Sequence, residues 1–399
     1  MKLPTLSRLS AAASAAASAA ASAAASATAS AAVSAAGLVL AFAAATPALA
    51  FDPAAALKAV STMLPPAGPG GEKPVAASEI KLSPAEIEQV KAKKAKAAIV
   101  MHYGGNDWSR AQIEGMKAQF KVLGIEVIAV TDAGFKSEKQ VADIETVLVQ
   151  KPDIIVSVPT DPVATQAAFK KAAKQGVKII FMGNDPKGLV PGVDYFSNVS
   201  PNDYGNGVAS AHLMAQALGP NGGEIGMVFH AATDFFQTRQ RYLGFKKVMA
   251  DNYPNIKIVA EQGIGGPDFV GDAEKAAGAM LTSNRKLKGI WAVWDVPAEG
   301  VIAAARAAGR DELIITTVDL GQNVAIDMAR GGYVKGVSAQ RPYDQGVTEA
   351  NLGGYALLGK KAPTFVAWPI IPTTKANLLD SWKAVYHVDA PDNIKKSMR

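Results

Sequence analysis

Apolar positions along this chain follow two alternating patterns. Short continuous runs, such as Ala97-Ala98-Ile99-Val100-Met101, are the mark of a strand covered on both faces. Longer stretches between them carry apolar residues at helical spacing, as Ile113, Met116, Phe120 and Leu123 do. Runs at 97–101, 125–130, 153–158, 177–182 and 196–199 predict strands, with helices over 137–150 and 164–175. A second series follows: helices over 204–218, 234–252, 270–283, 297–308 and 322–330 alternate with strands over 224–229, 256–261, 289–294, 313–318 and 334–339. The tail adds a helix over 343–358, a strand around 364–369 and a helix near 376–386. Alternation of this kind predicts right-handed βαβ units and parallel sheets. Two series of similar size predict an α/β fold of two doubly wound domains, and 399 residues are enough to build them.

The two ends of the pattern differ from its middle. Residues 10–36 are an Ala/Ser repeat of near-tetrapeptide period. Lys2 and Arg8 precede it, the apolar run 37–42 (GLVLAF) follows, and Pro47 then leads into Ala48-Leu49-Ala50. A positive start, an apolar core and a small-x-small site are the parts of an export signal. Residues 1–50 are therefore expected to be removed after Ala50, although the repeat stretches the segment beyond the usual ~15–30 residues. Residues 51–95 read as a lead-in. A short helical piece over 54–63 precedes a loose stretch rich in proline and glycine, and Ser83, Pro84 and Glu86 then supply a cap, a first-turn proline and an acid three residues on.

Composition narrows the possibilities further. The chain has no cysteine, which excludes disulfides, thiolate-held metals and an anchor attached through an N-terminal cysteine. Net charge is +6, and losing Lys2 and Arg8 with the signal leaves +4. The basic residues are scattered apart from KAKKAK at 91–96, a pattern of a solvated helix end rather than of a nucleic-acid surface.

Polar and aromatic side chains recur at or just after the predicted strand ends: Asn106, Trp108, Asp161, Asn184, Asp185, Arg239, Trp294, Asp295, Asp319 and Gln340. Any one could be a helix cap or a core ring. Together they would line one crevice, because ligands of open parallel sheets bind outside the carboxyl ends of the strands. The enzyme motifs are missing. There is no phosphate-binding G-x-x-x-x-G-K-[ST] and no G-x-S-x-G, and the run 263–268 (GIGGPD) fails the dinucleotide fingerprint at Asp268. The four histidines, His102, His212, His230 and His387, show no metal spacing. Asp295 and Asp319 could serve as an acid–base pair, or could accept hydrogen bonds from hydroxyls without further catalytic parts.

The blocks NDWSRAQIEGM, VSVPTDPVA, SNVSPNDYGNG, TRQRYLGF, VWDVPAEGVIAA, ITTVDLGQN and VSAQRPYDQG occur in that order between about 97 and 379. In order and spacing they resemble the type I periplasmic sugar-binding proteins, most closely the ribose-binding group of solute receptors for ABC importers. The resemblance implies two doubly wound domains, 96–200 plus 341–369 and 201–340 plus 370–399, joined by hinge crossings near Ser200, Gln340 and Pro369. It implies ligand contacts from Asn106 and Trp108, from Asn184 or Asp185, from Arg239, from Phe269 or Asp268, from Trp294, and from Asp319 and Gln340. Asp107, between the first two, becomes the helix cap. The resemblance implies a monomeric, soluble periplasmic protein that holds a monosaccharide or polyol without cofactor, metal or catalysis and presents it to an inner-membrane ABC permease; the alternatives are a ligand-presenting receptor for periplasmic signalling or chemotaxis, or a binder of another small hydroxylated metabolite. Trp294 and Val158 stand where ribose binders carry asparagine, which points away from ribose itself.

Overall fold

A computed structural model describes residues 52–398; the expected export signal lies outside them. In chain order the elements are α1 (Pro53–Val60), β1 (Val75–Ala76), α2 (Pro84–Ala92), β2 (Lys96–Met101), α3 (Asp107–Val122), β3 (Glu126–Asp132), α4 (Ser137–Val149), β4 (Ile154–Ser157), α5 (Gln166–Lys174), β5 (Lys178–Met182) and β6 (Ser197–Pro201). There follow α6 (Asp203–Leu218), β7 (Gly223–His230), α7 (Phe236–Asn252), β8 (Ile256–Ile264), α8 (Phe269–Ser283), β9 (Leu287–Ala292), α9 (Asp295–Ala307), β10 (Ile314–Val318), α10 (Gln322–Ala329) and β11 (Val334–Ala339). The chain ends with α11 (Pro342–Leu357), β12 (Phe365–Trp368), β13 (Ile371–Thr373), α12 (Leu378–Tyr386) and α13 (Asp392–Ser397).

Among the described residues the strands form two sheets, ordered β1-β12-β6-β5-β4-β2-β3 and β13-β11-β10-β9-β7-β8. In each, the first long strand of the series sits between the second and third, so strand order reverses beside β2 in one sheet and beside β7 in the other. That reversal opens a crevice at the carboxyl ends. Strands β2 and β4 are buried on both faces, which explains their unbroken apolar runs. Helices pack on both sides, with Met116, Phe120 and Leu123 on one face of the first sheet and Ile144, Phe169 and Ala172 on the other. The second lobe has a single contiguous core in which Trp291 and Phe245 stack at 4.8 Å. The chain passes from the first sheet to the second after β6, returns after β11 and leaves again after β12.

Two expectations change. The sheets are not wholly parallel, because β13 runs antiparallel to β11 and closes an edge of the second sheet. The lead-in is also not loose. Leu57 and Val60 of α1 pack with Ala209, Leu213 and Ile370, Asn202 Nδ2 donates to the Met63 carbonyl at 3.0 Å, and β1 pairs in parallel with β12. The segment thus touches helix α6 of one lobe and adds an edge strand to the other. Edge pairing uses main-chain groups that any residue offers, so proline-rich composition does not reveal it. The capping box of α2 forms as expected, with Ser83 N donating to Glu86 Oε2 at 2.7 Å and Glu86 N to Ser83 Oγ at 3.3 Å.

Glycine sets one approach that the site depends on. A Cβ at Gly207 would lie 2.0 Å from the Arg241 carbonyl oxygen, and one at Gly244 would lie 2.4 Å from that of Tyr204. Helices α6 and α7 can therefore touch backbone to backbone, which brings Arg241 beside Asp203.

Candidate functional site

The loop after β2 supplies His102, Tyr103 and Asn106, and the first turn of α3 supplies Trp108, to a cavity between the lobes. Asn106, not Asp107, caps α3: its Oδ1 accepts from Ser109 N at 2.9 Å. Asp107 instead pairs with Arg110 and accepts from Gln322 N at 2.7 Å, at the start of α10 in the opposite lobe. The expected roles are thus exchanged, although Asn106 still lines the cavity. A carboxylate one residue into a helix points outward along the axis, and here a second helix start lies in front of it. Trp108 is buried and donates Nε1–H to Gln340 Oε1 at 2.9 Å. Its indole can therefore offer a ligand only carbon.

From the opposite lobe comes Arg241. It is 5% exposed, with Nε donating to Asp203 Oδ1 at 3.0 Å and an Nη donating to Asp319 Oδ2 and to the Val293 carbonyl, both at 3.3 Å. Arg239 was the expected arginine, but it is exposed. On α7 the crevice side carries Gln237, Thr238 and Arg241, at i, i+1 and i+4, and Arg239 falls on the outer face. Asp319 sits at φ +69° just past β10, and its Oδ1 has no partner among the described residues. Asp295 lies close by with Oδ1 accepting from Val296 N at 2.9 Å.

Charge in this cluster is unbalanced. One guanidinium faces three buried carboxyls. Burial pushes Asp319 up to about 6 against the pull of Arg241, and pushes Asp295 well above the carboxylate range with added repulsion from Asp319. Burial likewise raises Asp203. Burial opposes the charge of Arg241, but Asp319 and Asp203 outweigh it and its pKa rises. Burial thus favours the neutral form of each carboxyl, and Arg241 favours the charged form. Both cavity histidines are neutral: burial, then repulsion from its neighbour, lowers His102 to about 3 (His230) and His230 to about 4 (Arg241).

The remaining expected residues divide. Asn184 is buried and accepts from Gln237 N across the lobes at 3.4 Å, while its Nδ2 has no partner among the described residues. Asp185 turns away toward Tyr195 and Glu72, and burial followed by Glu72 pushes it up to about 7. Trp294 lines the cavity directly. Phe269 stands behind it at 4.9 Å and touches Phe135 at the same distance, while Asp268 caps α8 by accepting from Gly271 N at 2.9 Å. Gln340 joins the site through Trp108, and its Nε2 has no partner among the described residues.

Tyr103, Phe135, Phe235, Gln237, Thr238 and Arg241 line the cavity without having been singled out beforehand. A register signal existed for Arg241, since TRQR offers two arginines and the helical period could have chosen between them. The space between these side chains holds ≈ 490 Å³ with its open mouth and the solvent there included. No group of His, Asp or Glu suited to a metal occurs among the described residues.

Residues 97–361 match the family profile described as periplasmic binding protein domain. The chain belongs to the periplasmic binding protein family. This binding protein is 26% identical over 269 residues to the D-apiose import binding protein of Actinobacillus succinogenes, a match covering 67% of this chain and 84% of that one. It is 29% identical over 223 residues to the D-ribose/D-allose-binding protein of Pseudomonas aeruginosa, covering 54% and 68%. Among solved structures, an ABC sugar transporter subunit from Rhodobacter sphaeroides superposes with a TM-score of 0.62 at 26% identity, covering 71% of this chain and 99% of that one.

Proposed function

We propose that this binding protein captures a monosaccharide or polyol between its lobes in the periplasm and delivers it, as a monomer, to an inner-membrane ABC permease. The observation that carries the reading is the placement of a hydrogen-bonding cluster, Arg241 with Asp319, opposite Asn106 and Trp108 of the other lobe. Carboxylates, amides and guanidinium groups bind hydroxyls, and rings cover C–H faces. The protein performs no chemistry on its ligand. Its moving bodies are 96–200 plus 341–369 and 201–340 plus 370–399, and ligand contacts from both hold them closed. Relatives whose names record apiose, ribose and allose support the ligand class.

A thermal-shift screen of pentoses, hexoses and polyols tests this. A ligand at a hundredfold excess over its Kd stabilises by about 2.7 kcal/mol, and a rise of several degrees in Tm is the expected result for the true ligand. If no sugar or polyol shifts Tm, the ligand class is wrong.

A further inference from the structure

Residues 52–95 lie outside the span matched by the family profile, yet they are docked on both lobes. Helix α1 is attached to the second lobe, with Leu57 and Val60 packed among Ala209 and Leu213 of α6. From residue 68 onward the lead-in is attached to the first lobe. Tyr195 Oη donates to Glu72 Oε1 at 3.4 Å, β1 pairs with β12, and Tyr355 Oη donates to the Lys81 carbonyl at 2.7 Å. A Cβ at Gly68 would lie 2.7 Å from the Phe365 ring, so the backbone runs directly over the start of β12. Residues 61–67 join the two attachments, and Pro65-Pro66 stiffens that link by fixing φ at both positions.

What the lead-in grips between these attachments is the hinge. The chain crosses between the lobes after β6, after β11 and after β12. Asn202, buried in the first crossing, donates from Nδ2 to the Met63 carbonyl at 3.0 Å, and its backbone N donates to the Trp368 carbonyl at 2.9 Å, which ties the first crossing to the third. Ile370, buried in the third crossing, completes the apolar cluster of Leu57, Val60, Ala209 and Leu213. One segment thus holds two of the three crossings. These contacts coexist with contacts across the cleft mouth, where Asp107 Oδ2 accepts from Gln322 N and Lys187 Nζ meets Asp234 Oδ2, both at 2.7 Å. Opening turns α6 relative to β12 about the crossings. With α1 riding on one and β1 on the other, that turn shears the cluster at Ile370 and exposes apolar surface to water, which disfavours it.

Resting on the reading of two lobes that close on a sugar or polyol, we propose that residues 52–76 form a strap over the hinge that biases the lobes toward the closed form. Such a bias raises affinity without touching the ligand, because a larger share of the protein is already binding-competent. It also slows exchange, since release requires the strap to yield.

The chain has no cysteine, so dyes attached through E138C and A232C report lobe separation by single-molecule energy transfer, with no sugar added. Both positions are exposed, and they follow the carboxyl ends of β3 and β7. L57A weakens the packed face of the strap, whereas P65G/P66G loosens its link and leaves that face in place. Each should raise the ratio of open to closed molecules roughly threefold or more over the labelled parent, and either suffices if the other does not fold. D107A/K187E removes the two contacts across the mouth and is the control for motion. A raised ratio in that control, with an unchanged or lowered one in the folded strap variants, overturns the strap and leaves the two-lobe reading standing. A labelled parent that is mainly open overturns the strap as well. An unchanged separation in every variant overturns both the strap and the two-lobe reading.

Discussion

At the scale of single residues, the arginine defines the site. Among the described residues, Arg241 is the guanidinium within bonding distance of both Asp203 and Asp319. Removing one partner of a buried ionic cluster leaves the others uncompensated, which costs about 3–5 kcal/mol. R241A should therefore lower urea-unfolding stability by that amount and abolish binding of the ligand found by thermal shift. R239A, two residues away on the exposed face, should stay within about 0.5 kcal/mol and bind normally. Loss of binding in R239A alone would overturn the site as drawn. The pair also shows why a residue-level reading of TRQR is ambiguous. Two arginines of equal chemistry differ only in azimuth, and a helix turns each residue by about 100°.

At the scale of elements, the lead-in helix and strand tie the lobes together. Helix α1 rests on α6 through Leu57 and Val60, and β1 extends the first sheet beside β12. Leu57 is 9% exposed, so truncating it should fall at the low end of core losses, about 2 kcal/mol. L57A should accordingly lower the urea midpoint and speed tryptic cleavage at Lys58 and Lys73. Cleavage and stability equal to those of the unaltered protein would mean that the docked segment contributes nothing. Helices and strands with long periodic patterns were legible from the sequence: β2, α3 and α8 fall where periodicity places them. Elements of two or three residues, such as β1 and β13, carry no period and are defined only by the strand they pair with.

At the scale of the whole molecule, stability against pH is set by groups acting in opposite directions. Burial holds His102 near 3, far below its unfolded 6.5. The unfolded chain then takes up the proton first, so this contribution is full above about pH 6.5 and is lost as pH falls toward 3. Between pH 7 and 5 the loss is about 2 kcal/mol. His230 acts in the same direction. Asp185, raised to about 7, acts in reverse: its fold binds the proton more tightly, so stability grows as pH falls from about 7 toward 4. Urea unfolding at pH 7 and pH 5 should show a smaller acid loss in H102N and a larger one in D185N than in the unaltered protein. Equal losses in all three would remove both assignments.

Sequence alone determined the two α/β series, the strand ends that face the crevice and the family, because these rest on local periodicity and on blocks of residues whose order along the chain is their information. It also placed Asn106, Trp108, Trp294 and Asp319 at the cavity, since each lies within a few residues of a strand's carboxyl end. Only the tertiary structure decided that Asn106 caps while Asp107 reaches the other lobe, that Arg241 rather than Arg239 faces inward, and that Phe135 and Phe235 join Trp294 in one wall. The reason is common to all three. Each depends on what stands opposite the side chain, and the opposing groups lie far along the chain, 215 residues away for Asp107 and Gln322 and 78 for Arg241 and Asp319. Spacing along one strand of sequence cannot encode such a meeting; it is settled when two sheets with reversed strand order close on each other.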